Sequence, residues 1–183
     1  MNVCKGWTIY CHAPGGKRPV EIEGTIAVNP EKCTNCKACE IACSIWHEGK
    51  ATLHNSRIKV QGWKDVGAYF PVVCQNCEKP VCEEICPTKA RVKAESTGAM
   101  VTDATKCVGC KSCIMACPFA APNVHRDTRK TMTCDLCGGD PACVKFCKYD
   151  AISYVPFYKA AMNRKRAYYE VLRRASRAGQ TER

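Results

Sequence analysis

Sixteen cysteines gathered into four quartets leave this chain few ways to fold. They are Cys33, Cys36, Cys39 and Cys43; Cys74, Cys77, Cys82 and Cys86; Cys107, Cys110, Cys113 and Cys117; and Cys134, Cys137, Cys143 and Cys147. Every quartet opens with C-x2-C and closes with x3-C; only the middle gap changes, at 2, 4, 2 and 5 residues. The first and third, "CTNCKACEIAC" and "CVGCKSCIMAC", are nearly one sentence written twice. This is an internal repeat, and it governs any local reading. A chain of 183 residues with 18 cysteines relies on cysteine chemistry more than on a large apolar core. Residues 1–20 carry no apolar signal segment and no twin arginine, and no stretch approaches the ~18 apolar residues of a membrane span. The expectation is a cytoplasmic protein with no direct membrane insertion, whose reduced thiols ligate metal instead of forming disulfides.

C-x2-C-x2-C-x3-C followed by proline, as at Cys107 to Pro118, is the spacing of a bacterial ferredoxin. Three cysteines on a tight loop hold three corners of a cubane while backbone N–H groups point at its sulfurs. The fourth opens a helical turn that leads away, so it ligates the other cluster of a pair. Zinc sites usually show two C-x2-C knuckles and a longer spacer, a pattern that four complete quartets do not follow. The expected cofactors are four [4Fe–4S] clusters, or three where one outer site stands empty. The formal charge of +11 counts neutral thiols. Thiolates holding four clusters of about −2 each leave the loaded protein near about +3. The basicity thus offsets cluster charge and does not announce nucleic acid.

Short β-prone runs lie between the quartets. "TIAV" precedes the first and "AISYV" follows the last; "RVKA" and "AMVT", joined by "ESTG", read as a hairpin between the second and third. Cysteine spacing does not settle which quartets share a pair, but these strands suggest nesting. The fold class expected is α+β, with two bacterial-ferredoxin-like two-cluster modules, one nested inside the other, plus a C-terminal basic helix. The outer module takes residues 24–69 and 118–156 (quartets one and four), and the inner takes 70–117 (quartets two and three). An N-terminal extension spans 1–23 and a basic tail 157–183. One or two helical turns are expected after each third cysteine, and a helix over 157–178.

With those motifs in view, the sequence resembles the four-cluster iron–sulfur subunits that serve molybdenum and tungsten enzymes. "CPFAAPNVHRDTRKTMTCDLCGGDPACVKFC" is similar to that family's third-to-fourth segment. "CSIWHEGKATLHNSRIKV" and "CGGDPACV" resemble most the members accompanying tungsten enzymes of the aldehyde oxidoreductase family, which include class II benzoyl-CoA reductases. The resemblance implies that Cys33, Cys36 and Cys39 share a cluster with Cys147, and Cys134, Cys137 and Cys143 with Cys43. It likewise joins Cys74, Cys77 and Cys82 to Cys117, and Cys107, Cys110 and Cys113 to Cys86. It implies a non-catalytic electron-transfer subunit docked to a large tungsten- or molybdenum-pterin subunit, with a further electron-carrier subunit or ferredoxin. The first quartet's cluster is expected nearest the catalytic subunit. Ser44 and Lys148 depart from the family by standing where a proline often follows the fourth cysteine.

Other residues weigh less. Cys4 and Cys11, with only His12 beside them, read as free thiols, and His47 and His54 as loop or packing residues without a catalytic partner. Lys37 and Lys111, inside ligand loops, either raise nearby cluster potentials or are simply solvated. The segment from Phe157 to Arg183 holds eight Lys/Arg against two Glu, which suits a docking arm for an acidic partner, anchored by Tyr168, Tyr169 and Leu172. No P-loop, G-x-S-x-G, H-E-x-x-H or dinucleotide fingerprint is present. The competing readings are the iron–sulfur subunit of a molybdenum enzyme of the DMSO-reductase family or of a hydrogenase, and an iron–sulfur redox-sensing regulator.

Overall fold

The computed structural model describes residues 24–63 and 68–162. Its elements run β1 (Thr25–Val28), α1 (Ala38–Glu48), β2 (Lys59–Trp63), β3 (Ala68–Val72), α2 (Val81–Glu84), β4 (Arg91–Lys93), β5 (Met100–Thr102), α3 (Ser112–Met115), β6 (Asn123–Val124), β7 (Thr131–Met132), α4 (Ala142–Lys145) and β8 (Ile152–Val155). The described residues thus form a small mixed helix and sheet fold, in keeping with the α+β expectation. Residues 1–23 and 163–183, with Cys4, Cys11, His12, Tyr168, Tyr169 and Leu172, lie outside the described part. Of the expected C-terminal helix, residues 157–162 are helical.

Four two-stranded antiparallel sheets organise the described chain. Two follow the sequence patterns: β1 pairs with β8, Thr25 facing Val155, and β4 pairs with β5, Arg91 facing Thr102. The other two were not anticipated. β2 pairs with β3 between quartets one and two, and β6 with β7 between quartets three and four. Pro71 sits within β3 without penalty, because a two-stranded ribbon leaves one edge of each strand unpaired. In space α1 packs on α4 and α2 on α3. The elements around quartets one and four therefore meet, as do those around quartets two and three.

Three of the helices are single turns that open one residue before the third cysteine of their quartet. α1 is longer than the one or two turns expected, running to Glu48 and stopping at Gly49 (φ 64°), whose N–H bonds Ile45 O. Ser44 permits the difference. Pro87 and Pro118 follow the fourth cysteine in quartets two and three and have no N–H to continue a helix. Ser44 has one, and its buried hydroxyl donates to Ile41 O (2.9 Å) and accepts from Thr52 N–H (3.0 Å). Lys148 also replaces a proline, yet the chain turns there as at the others. Lys89, Ala120 and Asp150, each three residues past a fourth cysteine, share φ of 52°, 49° and 50°.

The apolar core is thin. Ile26, Ile58, Val60, Val73, Met100, Leu136 and Ile152 form one cluster with Cys39, Cys43, Cys74, Cys134 and Cys143. Burying seven such side chains at about 1.5–3 kcal/mol each supplies only part of what ordering this length of chain costs. The cysteines must contribute the remainder through what they bind. Ser44→Pro, which breaks α1 in its interior, is expected to lower stability by about 3 kcal/mol in anaerobic denaturant titration. Lys148→Pro, at the equivalent position of a loop that already turns, should stay within about 1 kcal/mol of the parent protein.

Candidate metal centres

All four cysteine loops share one backbone device. The second residue inside each C-x2-C adopts positive φ: Asn35 at 59°, Asn76 at 47°, Gly109 at 70° and Leu136 at 61°. A left-handed residue at that point turns consecutive N–H groups to one side, making a concave nest for an anion. Asparagine and glycine accept the conformation readily; leucine does not. A Cβ on Gly109 would also stand 2.9 Å from Arg129 O. The short-gap quartets repeat the device at Lys37 (63°) and Lys111 (66°), which turn the chain directly into α1 and α3.

These loops bring distant cysteines together. One cavity is lined by Cys33, Cys36 and Cys39 together with Cys147. A second is lined by Cys107, Cys110 and Cys113 together with Cys86. Around quartet four, Cys143 feels the charges of Cys43, Cys137 and Cys39, and Cys134 those of Cys143, Cys74 and Cys43. Cys74 feels Cys82 and Cys77. Cys117 packs against the core that contains Cys74. Cys39 of quartet one thus acts on Cys143 of quartet four, and Cys74 of quartet two on Cys134 of quartet four. Among the described residues the two exposed cysteines, Cys36 and Cys110, belong to quartets one and three.

Burial raises the thiols at the centre: Cys39 to about 12, Cys74 to about 11, and Cys134 and Cys143 upward as well. Others are held down by donors. Cys86 is lowered against burial by Thr88 and by the Arg91 and Ala90 N–H groups, the last at 3.2 Å from its Sγ. Cys110 is lowered first by the Ser112 hydroxyl, 3.5 Å away. Cys43 is lowered against burial by His47 and by the Arg57 N–H, 3.3 Å from its Sγ.

His47 is the site residue that the sequence reading missed, having assigned it to loop or packing roles. It follows Cys43 by four residues on α1, so both face the same way. That spacing was the available signal. Its Nε2 lies 3.4 Å from Asp135 Oδ1 and 3.8 Å from Cys137 Sγ. Arg57 donates to the other Asp135 oxygen at 2.5 Å. Burial opposes the imidazolium, but Asp135, Cys137 and Cys43 overcome it and raise His47 to about 11. Asp135 is held well below the carboxylate range: burial acts upward, and the His47 and Arg57 contacts prevail. His54 joins no such group; its backbone N–H bonds Thr52 Oγ1. Lys37 is neither free nor simply solvated. Its Nζ donates to Glu40 Oε1 (2.9 Å) and Val60 O (2.7 Å), so a buried carboxylate offsets its charge.

The donor set fits thiolate-ligated anionic clusters. Sixteen cysteines, none of them in a disulfide, lie in and around preformed nests. Two buried donors at quartet two, Asn76 Nδ2 and Arg91 Nε, have no hydrogen-bond partner, which a bound anion would answer.

Comparison with known proteins agrees with this chemistry. A 4Fe-4S dicluster domain model matches residues 66–156, and a 4Fe-4S binding domain model matches residues 30–49. The aliphatic sulfonate oxidoreductase, polyferredoxin-like subunit of Pyrococcus furiosus is 37% identical over 142 residues, covering 73% of this chain and 82% of the relative. A component of the anaerobic dimethyl sulfoxide reductase of Escherichia coli K12 is 34% identical over 148 residues, covering 70% of this chain and 71% of the relative. Among solved structures, the active site complex BamBC of benzoyl coenzyme A reductase aligns with a TM-score of 0.45 at 26% identity, covering 72% of this chain and 76% of that one.

Raised thiols must lose protons to ligate, so loading is expected to release protons and weaken as pH falls. Anaerobic reconstitution with ferrous iron and sulfide, followed by visible absorption, should show apparent affinity dropping at least about tenfold per pH unit below neutrality. A flat profile would contradict ligation by thiols that must first lose their protons.

Proposed function

This chain belongs to the ferredoxin-type iron–sulfur electron-transfer subunits of oxidoreductase complexes, and from that membership we propose that it holds four [4Fe–4S] clusters and relays electrons to or from a tungsten-pterin catalytic subunit. The observation that carries the proposal is the pair of cavities in which three cysteines of one quartet meet the last cysteine of another, Cys147 in one and Cys86 in the other.

The ligand sets follow that crossing rule. Cys33, Cys36, Cys39 and Cys147 hold one cluster, and Cys134, Cys137, Cys143 and Cys43 its neighbour. Cys74, Cys77, Cys82 and Cys117 hold the third, and Cys107, Cys110, Cys113 and Cys86 the fourth. Residues 24–69 with 118–156 then make an outer two-cluster module around an inner one of 70–117, in line with the β1–β8 and β4–β5 pairings. A bound cluster of this kind takes up and gives back one electron. The chain's own residues do the rest. The nests present N–H groups toward the sulfurs, Leu136 and Val73 keep water from the centre, and Ala90, Arg57 and Ser112 hydrogen-bond ligand sulfurs, which sets their potentials. Cys36 and Cys110, exposed in quartets one and three, give the row an accessible sulfur at separate sites for exchange with partners.

The tungsten assignment rests on "CSIWHEGKATLHNSRIKV" and "CGGDPACV", which resemble subunits accompanying the aldehyde oxidoreductase family. The expected substrate of the partner is an aldehyde or an aromatic acyl-CoA, with a ferredoxin or further carrier subunit as the other electron partner. A molybdenum enzyme is the second reading, favoured by the similarity to a component of a dimethyl sulfoxide reductase.

Anaerobic isolation should give about 16 Fe and 16 acid-labile sulfides per chain, with a large tungsten-containing companion in stoichiometric amount. Cys147→Ser and Cys33→Ser should perturb the same EPR signal, and Cys143→Ser a different one. If Cys147→Ser and Cys143→Ser act on one signal, the crossed ligand sets are wrong.

A further inference from the structure

Arg91 is the largest fully buried side chain of the described residues, at 2% exposure. It opens β4, five residues after Cys86, with Thr102 opposite on β5. Its guanidinium donates to Thr102 Oγ1 (2.5 Å) and Thr133 Oγ1 (2.9 Å), and approaches Cys82 Sγ at 3.7 Å. Its Nε has no hydrogen-bond partner. Among the described residues it forms no ion pair with a carboxylate. This sets it apart from the other basic groups near cysteine: Lys37 and Lys59 meet Glu40, and Arg57 and His47 meet Asp135.

An arginine cannot shed its proton to escape burial. A buried charge without a counter-charge is costly, so native chains supply one. Two hydroxyls satisfy hydrogen bonds but bring no negative charge. What surrounds Arg91 instead is cysteine. Its side chain reaches Cys82 of quartet two. The same residue lines the cavity of Cys86, Cys107, Cys110 and Cys113, and its backbone N–H acts on Cys86. Its charge also acts on Cys74, opposing the effect of burial there.

We propose that Arg91 is the internal counter-ion shared by the two inner cluster sites, one bounded by Cys74, Cys77, Cys82 and Cys117 and the other by Cys86, Cys107, Cys110 and Cys113. The inference rests on the four-cluster reading and adds a tuning residue to it. A fixed cation between two sites favours the more negative, reduced state of each, so it holds both potentials above what the same ligands would set alone. The outer sites differ: their cations share carboxylates, Lys37 and Lys59 at Glu40 and Arg57 and His47 at Asp135, and among the described residues no buried cation there stands without one. Removing that one charge therefore shifts the inner pair of potentials and leaves the outer pair in place.

The test is an EPR-monitored redox titration of the anaerobically purified chain with all clusters loaded. Arg91→Met and Arg91→Gln remove the charge, Gln keeping part of the hydrogen bonding so that one neutral variant accumulates. Arg91→Lys keeps the charge and loses the fork. In either neutral variant two midpoint potentials should fall and two should stay, while Arg91→Lys should hold all four near the parent values. A neutral variant that loses two clusters, restored by Arg91→Lys, would support the same conclusion. Four loaded clusters with unmoved potentials in Arg91→Gln would overturn it, as would a uniform shift of all four or an equal fall in Arg91→Lys. Absence of clusters in the parent protein would instead sink the four-cluster reading itself.

Discussion

Everything in this molecule depends on thiol groups from remote segments having to arrive at a common point. Cys147 comes to the loop of Cys33, Cys36 and Cys39, and Cys86 to the loop of Cys107, Cys110 and Cys113. Each arrival closes a long stretch of chain, and closure of that kind costs entropy that a few buried aliphatic residues cannot offset. Strands of three or four residues and single-turn helices have little stability of their own. They persist because the ligand loops they connect have fixed places to be. The architecture is therefore a set of short braces between nests: β1 with β8 flanks the first and last quartets, and β4 with β5 joins the second to the third.

Charge is the second organising theme. A cluster-bearing chain must bury negative centres, and the formal excess of +11 supplies the opposing sign. The structure shows that this excess is not spread evenly over the sites. At quartet one Lys37 and Lys59 are drawn to the buried Glu40, which also accepts the Val60 N–H at 2.8 Å and so ties α1 to β2. At quartet four Asp135 gathers His47 and Arg57, and its other role is to cap the N–H of Cys137. Only around quartets two and three, among the described residues, does a buried cation stand without a carboxylate. The arrangement of local charge thus differs between the two pairs of sites although each pairs a short-gap quartet with a long-gap one.

Much was legible in the linear sequence because the relevant signals are local. The quartet repeat names every ligand candidate, since three cysteines two or so residues apart can only sit on one tight loop. "TIAV" and "AISYV" read as strands from their β-branched and aromatic content, and the "ESTG" turn announced β4 and β5. The second-position turn is visible in retrospect, with Asn35, Asn76 and Gly109 at three of the four places; Leu136 hides it at the fourth, because nothing in a leucine suggests positive φ. Hairpins β2–β3 and β6–β7 went unseen because their strands are either two residues long or interrupted by glycine and proline.

What the sequence determined by itself is the cofactor chemistry and the number of cysteine groups, because ligand spacing is a property of adjacent residues. What only the tertiary structure decided is the company each group keeps. His47 meets Cys137 across 90 positions, Arg57 meets Asp135 across 78, and Arg91 meets Thr133 across 42. No periodicity or motif encodes such meetings. They arise when the loops close, and closure also determines whether a basic residue faces a carboxylate, as Lys37 does, or only sulfur and hydroxyl, as Arg91 does.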